Sequence, residues 1–175
     1  MLVRSQTNLN FKYQGFFVLV AAHLIGIFMP HIRQNIRDNI VTAVTGLSTT
    51  GSNVYRTQIY PLEHDNLPGL CVYSSVEDVG IDTMTGTRGL DRRCDVIIEA
   101  FVRAASNYDN TLDTICSEIE AGVSTDVTRG GNAKDTVLTR SEFEYSEEGD
   151  RPMAMARLTY SVQYRTAINN ATVVL

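Results

Sequence analysis

The sequence has few of the residues from which catalytic and metal centres are built. It contains three histidines and three cysteines. His23, His31 and His64 do not lie at metal-ligand spacing with cysteine or acidic residues. The motifs GxSxG, HExxH and GxxxxGK[ST] are absent, so the sequence offers no recognisable nucleophile, zinc-protease helix or phosphate-binding loop. We predict a protein that is not an enzyme and uses no cofactor or metal.

The cysteines do not suggest a disulfide framework. Cys71, Cys94 and Cys116 are odd in number, lie far apart and form no CxxC pair. Each falls within an apolar pattern. We interpret them as small core residues, which is consistent with a reducing compartment.

A basic excess is also lacking. The formal net charge is −5, which argues against general nucleic-acid affinity through a positive surface. The sequence is 43% hydrophobic and contains no low-complexity tract. Its length of 175 residues is sufficient for one domain with a substantial core.

Residues 1–28 contain no acidic residue and differ from the rest of the chain. The apolar run over 16–28 is shorter than the roughly 20 residues that span a membrane. We favour Met29 as the natural start, with 1–28 as upstream sequence of an over-long reading frame. A helical or membrane-associating extension and a secretory signal peptide are the alternatives. Residues 29–175 are expected to form one domain.

Residues 88–123 predict a long strand followed by an amphipathic helix. Alternate residues from Leu90 onwards are apolar, except at Arg92. The residues on this apolar side are Leu90, Cys94, Val96, Ile98, Ala100 and Val102. A helical stripe follows at Leu112, Ile115, Cys116, Ile119 and Val123, with Ser106 or Asn107 as the N-cap. Packing the helix on the strand would bury both apolar surfaces.

The remaining elements complete an α+β pattern. A helical stripe runs from Ile32 to Leu47. Further strands are predicted over Val54–Tyr60, from Leu67 onwards, over Thr136–Glu147 and over Met153–Thr166. Asp78–Gly89 and Ser124–Asp135 are interpreted as long loops, and 167–175 as a short tail. We therefore predict an α+β fold, with a mostly antiparallel sheet of about four to five strands and two helices on one face.

Three segments could suggest chemistry or binding. Thr85–Gly89 leads into a strand and not into a helix N-terminus, which disfavours phosphate binding. Glu142 and Glu144 are interpreted as solvated charges on a wet strand face. The segment Asp91–Arg93 is either an exposed strand end or an ion-pairing surface for a neighbouring subunit.

Several stretches resemble the tail terminator proteins of long-tailed bacteriophages, also called tail completion proteins, of the minor tail protein U type. The likeness runs from about Pro30 to Arg165 and consists of element order and short phrases. The stretches are Ile32–Asp38, Thr49–Tyr55, Tyr60–Leu62, Leu67–Tyr73, Asp109–Glu120 and Arg151–Tyr160.

This resemblance implies a structural role in the virion. Such proteins form a ring, usually a hexamer, on the head-proximal end of the tail tube. The ring stops tube polymerisation and offers a surface to the head connector or neck proteins. The implied partners are other copies of the chain, the tail tube protein, the connector, and genomic DNA that passes without sequence-specific binding. Assembly would occur in the host cytoplasm, with no membrane partner unless 1–28 belong to the protein.

A closed ring requires heterologous contacts between two different faces of each subunit. We expect these contacts to involve the two long loops and nearby basic residues. The candidate interface residues are Arg88, Arg92, Arg93, Arg129 and Lys134.

Two other functions stay open at this point. The first is another head–tail neck protein, such as an adaptor or head-closure protein. The second is a small-ligand-binding α+β domain whose long loops close over the ligand.

Overall fold

The computed structural model describes residues 29–57, 66–83, 88–103, 107–146 and 153–175. These residues form two helices and six strands. In chain order they are α1 (Ile32–Val44), β1 (Val54–Tyr55), β2 (Gly69–Ile81), β3 (Gly89–Arg103), α2 (Tyr108–Ser124), β4 (Asp135–Ser146), β5 (Met153–Ala167) and β6 (Asn170–Val174). The predicted extension over 1–28 and the end of the strand predicted over Val54–Tyr60 lie outside the described residues.

The strands form one six-stranded sheet in the order β1-β2-β3-β5-β4, with β6 beside the end of β5. Among the described strands, β1 and β2 pair in parallel, and the other pairs are antiparallel. This confirms the predicted α+β class and the mostly antiparallel sheet. The sixth strand, β6, comes from the segment predicted as a tail, because the chain after Ala167 turns back and pairs with β5.

Both helices pack on one side of this sheet, which we call the inner face. There α1 lies on β2 and β6, and α2 lies on β3 and β5. The helical stripes and the apolar side of β3 meet in one buried cluster, as their spacing predicts. From β5 the cluster receives Ala154, Ala156, Leu158, Tyr160, Val162 and Tyr164. The opposite side of the sheet is the outer face.

The two helices approach each other most closely at Gly122. A Cβ atom at this position would lie 2.8 Å from the backbone carbonyl oxygen of Ala43 in α1. This separation is shorter than a normal van der Waals contact, so only glycine allows α2 to lie this close to α1. The local helix spacing therefore depends on the absence of one side chain.

The strand β2 is longer than predicted. Residues 78–81 belong to β2, although the sequence indicated a loop from Asp78 to Gly89. The reason is a β-bulge between Ser74 and Glu77, where β2 has one more residue than β3. The extra residue interrupts the alternation of apolar and polar residues, and periodicity therefore fails to detect the second half of the strand.

The start of α2 also differs in detail from the expectation. Asn107 is the N-cap, but it has a φ of 59° and its side chain makes no capping hydrogen bond. At α1 the N-cap is His31, whose Nδ1 accepts a hydrogen bond from the backbone N–H of Arg33 at 3.0 Å. The sequence analysis had assigned His31 no role.

Replacing Gly122 with alanine should lower the free energy of unfolding. The new Cβ must displace the backbone of α1, and overpacking of this kind costs about 1–3 kcal/mol. The higher helix propensity of alanine returns at most about 1 kcal/mol. Urea unfolding monitored by circular dichroism should show a lower midpoint.

Gly80→Ala is the matched control. Its Cβ would meet only one atom within 4 Å, the carbonyl oxygen of Asp91 at an ordinary 3.9 Å. We expect unchanged or slightly increased stability for this variant. Equal midpoints for the two variants would contradict the close approach at Gly122.

Candidate functional site

The described residues contain no group of three or more His, Cys, Asp or Glu side chains that could hold a metal ion. The three cysteines are free and buried. Burial raises the pKa of each thiol to about 11, so the thiols are protonated at neutral pH and poorly reactive. Their interpretation as core residues is confirmed.

A largely buried carboxylate links three elements on the inner face. The bulge in β2 turns Glu77 towards the helices, and its Oε2 accepts hydrogen bonds from Arg33 of α1 at 2.9 Å and Arg92 of β3 at 3.0 Å. The Tyr164 hydroxyl of β5 donates to Oε1 of the same carboxylate. Burial, together with this carboxylate, raises the pKa of Tyr164. We call these four residues the Glu77 cluster.

The Glu77 cluster explains the one break in the apolar side of β3. Arg92 occupies an inner-face position, and its side chain is only 13% exposed. Its Nε also donates to the Thr166 hydroxyl at 2.9 Å. A charged residue is tolerated there because its charge and its donors are matched by neighbouring side chains.

A second cluster lies on the outer face. Oε1 of Glu99 accepts hydrogen bonds from the Tyr73 hydroxyl at 2.8 Å and from Nε of Arg157 at 2.9 Å. Glu99 is only 4% exposed, although no described helix covers this face. Burial and the carboxylate raise the pKa of Tyr73 to about 12, and the Glu99 hydrogen bond raises the pKa of Arg157. The guanidinium of Arg157 therefore stays charged and the hydroxyl of Tyr73 stays protonated at physiological pH.

The outer-face cluster borders a shallow polar groove of about 570 Å³. Glu142 lines this groove and forms an ion pair with Arg140 at 3.5 Å. Glu144 lies 3.9 Å from Arg157. The two glutamates thus face arginines on an open strand face, which matches their interpretation as solvated charges.

Three of the five candidate interface residues are exposed at one end of the sheet, namely Arg88, Arg93 and Lys134. Arg93 is opposite Gln163 of β5, and the backbone N–H of Lys134 donates to the Gln163 carbonyl at 2.7 Å. The Arg88 carbonyl accepts from Ile168 at the end of β5. Pairing with β5 therefore brings Arg93 and Lys134 to the same level of the sheet although they are distant in sequence, while Arg88 precedes the first residue of β3.

The other two candidates, Arg92 and Arg129, point into the subunit. Arg129 is fully buried, its Nη2 donates to the Val123 carbonyl at the end of α2, and its Nη1 lies 3.5 Å from Oδ1 of Asn39. Burial lowers the pKa of this guanidinium. Arg129 thus stabilises the C-terminus of α2, and a role between subunits stays a prediction.

The Ser124–Asp135 segment is held by its own hydrogen bonds. Oδ1 of Asp126 accepts from the backbone N–H of Thr128 at 3.0 Å and from the Thr128 hydroxyl at 2.7 Å. Hydrogen bonds from Thr128 and from the backbone of Gly130 lower the pKa of Asp126. The Thr136 hydroxyl donates to the Val127 carbonyl at 2.8 Å. These hydrogen bonds fix the backbone of the segment that carries Lys134.

Some sequence-based candidates lie outside the described residues. They include His23, His64 and most of the Thr85–Gly89 segment. Conversely, sequence reasoning missed the roles of Glu77 and Glu99. The ion pair between Glu99 and Arg157 could have been predicted by aligning the apolar sides of β3 and β5. In that alignment Glu99 is directly opposite Arg157.

Taken together, the described residues form exposed charged surfaces and polar clusters on a sheet backed by two helices. Neither described helix has the length and hydropathy required to cross a membrane. The sequence model of the family described as phage minor tail protein U matches residues 31–164. The chain therefore belongs to the phage minor tail protein U family, and it is a structural protein of the phage tail.

No curated protein matches this chain. Among solved structures, a chain described as "Virion of native gene transfer agent (GTA) particle" is similar at 18% sequence identity with a TM-score of 0.44. The similarity covers 79% of this chain and 95% of that chain.

Replacing Glu77 with glutamine should destabilise the fold. The change removes the negative charge that is shared by Arg33 and Arg92, and leaves Arg92 charged in a largely buried position. Breaking a buried ion pair in this way costs about 3–5 kcal/mol. We expect the free energy of unfolding to fall by about 3 kcal/mol, the lower end of this range, because the side chain of Arg33 is 39% exposed.

Glu142→Gln provides the control for this experiment. It removes a negative charge from the ion pair between Glu142 and Arg140, in which the Arg140 side chain is 69% exposed. The free energy of unfolding should therefore fall by less than about 1 kcal/mol. Guanidinium unfolding of both variants gives the comparison. Similar decreases in the free energy of unfolding of the two variants would argue that the Glu77 cluster does not stabilise the fold.

Proposed function

We propose that this chain forms a closed ring, a hexamer, at the head-proximal end of the phage tail tube. The ring ends polymerisation of the tube and offers the surface to which the head attaches. The observation that carries this proposal is membership of the phage minor tail protein U family over residues 31–164. The chain acts through its shape and contacts, without catalysis.

The exposed basic residues support a contact role for one end of the sheet. Arg88, Arg93 and Lys134 are exposed there. In a ring, they bind acidic groups of the adjacent copy. Arg92 and Arg129 support this surface from inside the subunit, through Glu77 and the end of α2 respectively.

The partners follow from this location. One side of the ring contacts the tail tube protein, and the other contacts the head connector or neck proteins. Genomic DNA passes through the opening without sequence-specific contacts, which is consistent with the net charge of −5. The assembled protein resides at the head-proximal end of the tail, and assembly takes place in the host cytoplasm.

Charge reversal at Arg88 and Arg93 should weaken the ring. The double variant Arg88→Glu/Arg93→Glu replaces attraction by repulsion at the proposed contact, so light scattering should show a smaller mass at equal concentration. Arg92 is unsuitable for this test because its reversal would disrupt the Glu77 cluster.

Arg56→Glu is the control, because Arg56 is also exposed and pairs with Asp38 of α1 at 3.4 Å. This variant should keep the wild-type mass. An unchanged mass for the double variant would reject the proposed role of Arg88 and Arg93. A wild-type protein that stays monomeric at high concentration would reject the ring itself.

Tube termination is tested by polymerising purified tail tube protein of the same phage with and without this chain. Tubes should be shorter and of more uniform length when the chain is present, and antibody labelling should mark one tube end in electron micrographs. Unaltered tube lengths with binding to the head connector alone would favour the neck-protein alternative. A monomer that shows saturable thermal stabilisation by a small metabolite would favour the ligand-binding alternative.

A further inference from the structure

The helix layer leaves part of the inner face uncovered. Helix α2 packs mainly on β3 and β5, whereas β4 lies beyond it in the sheet order. The second half of β4 places Ser141, Phe143 and Tyr145 on the inner face, and all three are exposed. Phe143 is 46% exposed and Tyr145 is 55% exposed. The side of α2 and this part of β4 therefore border an open groove with an aromatic floor.

The wall that α2 contributes to this groove is acidic. Asp109, Asp113 and Glu120 are exposed, and their spacing of four and seven residues places them along one side of the helix. This side faces β4, because desolvation and the carboxylates of Asp109 and Asp113 raise the pKa of Tyr145. The rings of Tyr108 and Tyr145 also lie 5.9 Å apart, which connects the start of α2 to the floor of the groove.

Basic residues do not balance these charges within the groove. Helix α2 contains four acidic residues and no lysine, arginine or histidine. The residues that β4 contributes to the inner face are uncharged. Across the described ranges, no carboxylate of α2 forms an ion pair. Like charges four residues apart on a helix repel each other, so a cation bound in the groove would relieve this repulsion.

A buried hydroxyl beside the acidic wall also lacks a partner. Tyr160 of β5 is only 3% exposed, and its hydroxyl makes no hydrogen bond to any described residue. Burial, followed by the charge of Glu120 in α2, raises the pKa of this hydroxyl. Buried polar groups normally have a partner, so the Tyr160 oxygen is an acceptor that a bound donor would satisfy.

We propose that the groove between α2 and β4 binds a cationic segment of another tail protein, in which lysine or arginine residues are interspersed with apolar residues. The cationic side chains pair with Asp109, Asp113 and Glu120. The apolar side chains cover Phe143, and a cation above the ring of Tyr145 adds an interaction with its π face. Because the chain has a net charge of −5, this acidic groove favours a basic partner over a second copy.

The groove is separate from the exposed basic residues of the proposed ring contact, so this inference does not depend on the ring. Two synthetic peptides of equal length test its chemistry. One repeats Lys-Ser-Leu and the other repeats Glu-Ser-Leu. The lysine peptide should bind saturably and shift the backbone amide signals of Asp113, Phe143 and Tyr145 in NMR spectra. The glutamate peptide should not bind, and added salt should weaken binding of the lysine peptide.

A pair of charge variants shows whether binding depends on the groove. Asp113→Asn/Glu120→Gln removes two charges from the acidic wall and should weaken binding of the lysine peptide by roughly three- to tenfold. Glu142→Gln/Glu144→Gln is the matched control, because it removes two charges from the outer face of β4. The control should change the affinity by less than about twofold.

The aromatic floor is tested by Phe143→Ser, which should weaken binding by about threefold or more because it removes apolar contact area. Val137→Ser is the matched control. Val137 belongs to the same strand and is 50% exposed, but it lies opposite Ser161 on the outer face. Equal effects of these two variants would contradict an apolar contact in the groove.

Four outcomes would overturn the proposal. The lysine peptide does not bind, or its amide shifts lie outside α2 and β4. Equal weakening by the two charge variants would indicate attraction by net charge alone. Amide shifts in α2 and β4 that appear on concentrating the protein without peptide, together with a larger mass in light scattering, would place a second copy in the groove. The ring contact is tested separately by Arg88→Glu/Arg93→Glu, so its failure and failure of the groove are distinguishable.

Discussion

Fifteen consecutive residue pairs join β3 to β5 without a shift in register. This uninterrupted pairing determines which side chains of both strands face the helices and which face outwards, because a slip by one residue would exchange the faces. The apolar sets of the two strands therefore coincide, and α2 packs on the surface they form. The same register places Glu99 opposite Arg157, so one constraint produces both the core and the outer-face cluster.

The inner face combines this apolar surface with a charged link. Glu77 connects α1 to β3 and β5 through Arg33, Arg92 and Tyr164. Ion pairs of low exposure contribute less to stability than equal apolar packing, but they penalise arrangements in which a charge is left unmatched. Such a link would hold α1 in one position over the sheet.

Features that depend on neighbouring residues in the sequence could be predicted, whereas features that depend on contacts between distant residues could not. The spacing within β3, α2 and β5 predicts most of their buried residues correctly, because the period holds along each element apart from Arg92 in β3. The second half of β2 was missed because one extra residue at the bulge breaks that period. The environment of Arg129 could not be predicted, since its partner Asn39 is 90 residues away in the chain. Arg93 and Lys134 could be selected as basic residues, but only the sheet register shows that both lie beside Gln163 of β5.

The bulge in β2 has a consequence for how the strand tolerates length changes. Deleting either Ser75 or Val76 would remove the extra residue and give one-to-one pairing, with Ser74 opposite Val96 and Glu77 opposite Cys94 as before. Glu77 and the residues beyond it would keep their faces, and the carboxylate would stay beside its arginines. A deletion within the regular stretch beyond the bulge would instead exchange the faces of the residues that follow it. Strand β2 can therefore lose a residue at the bulge without inverting its distal half.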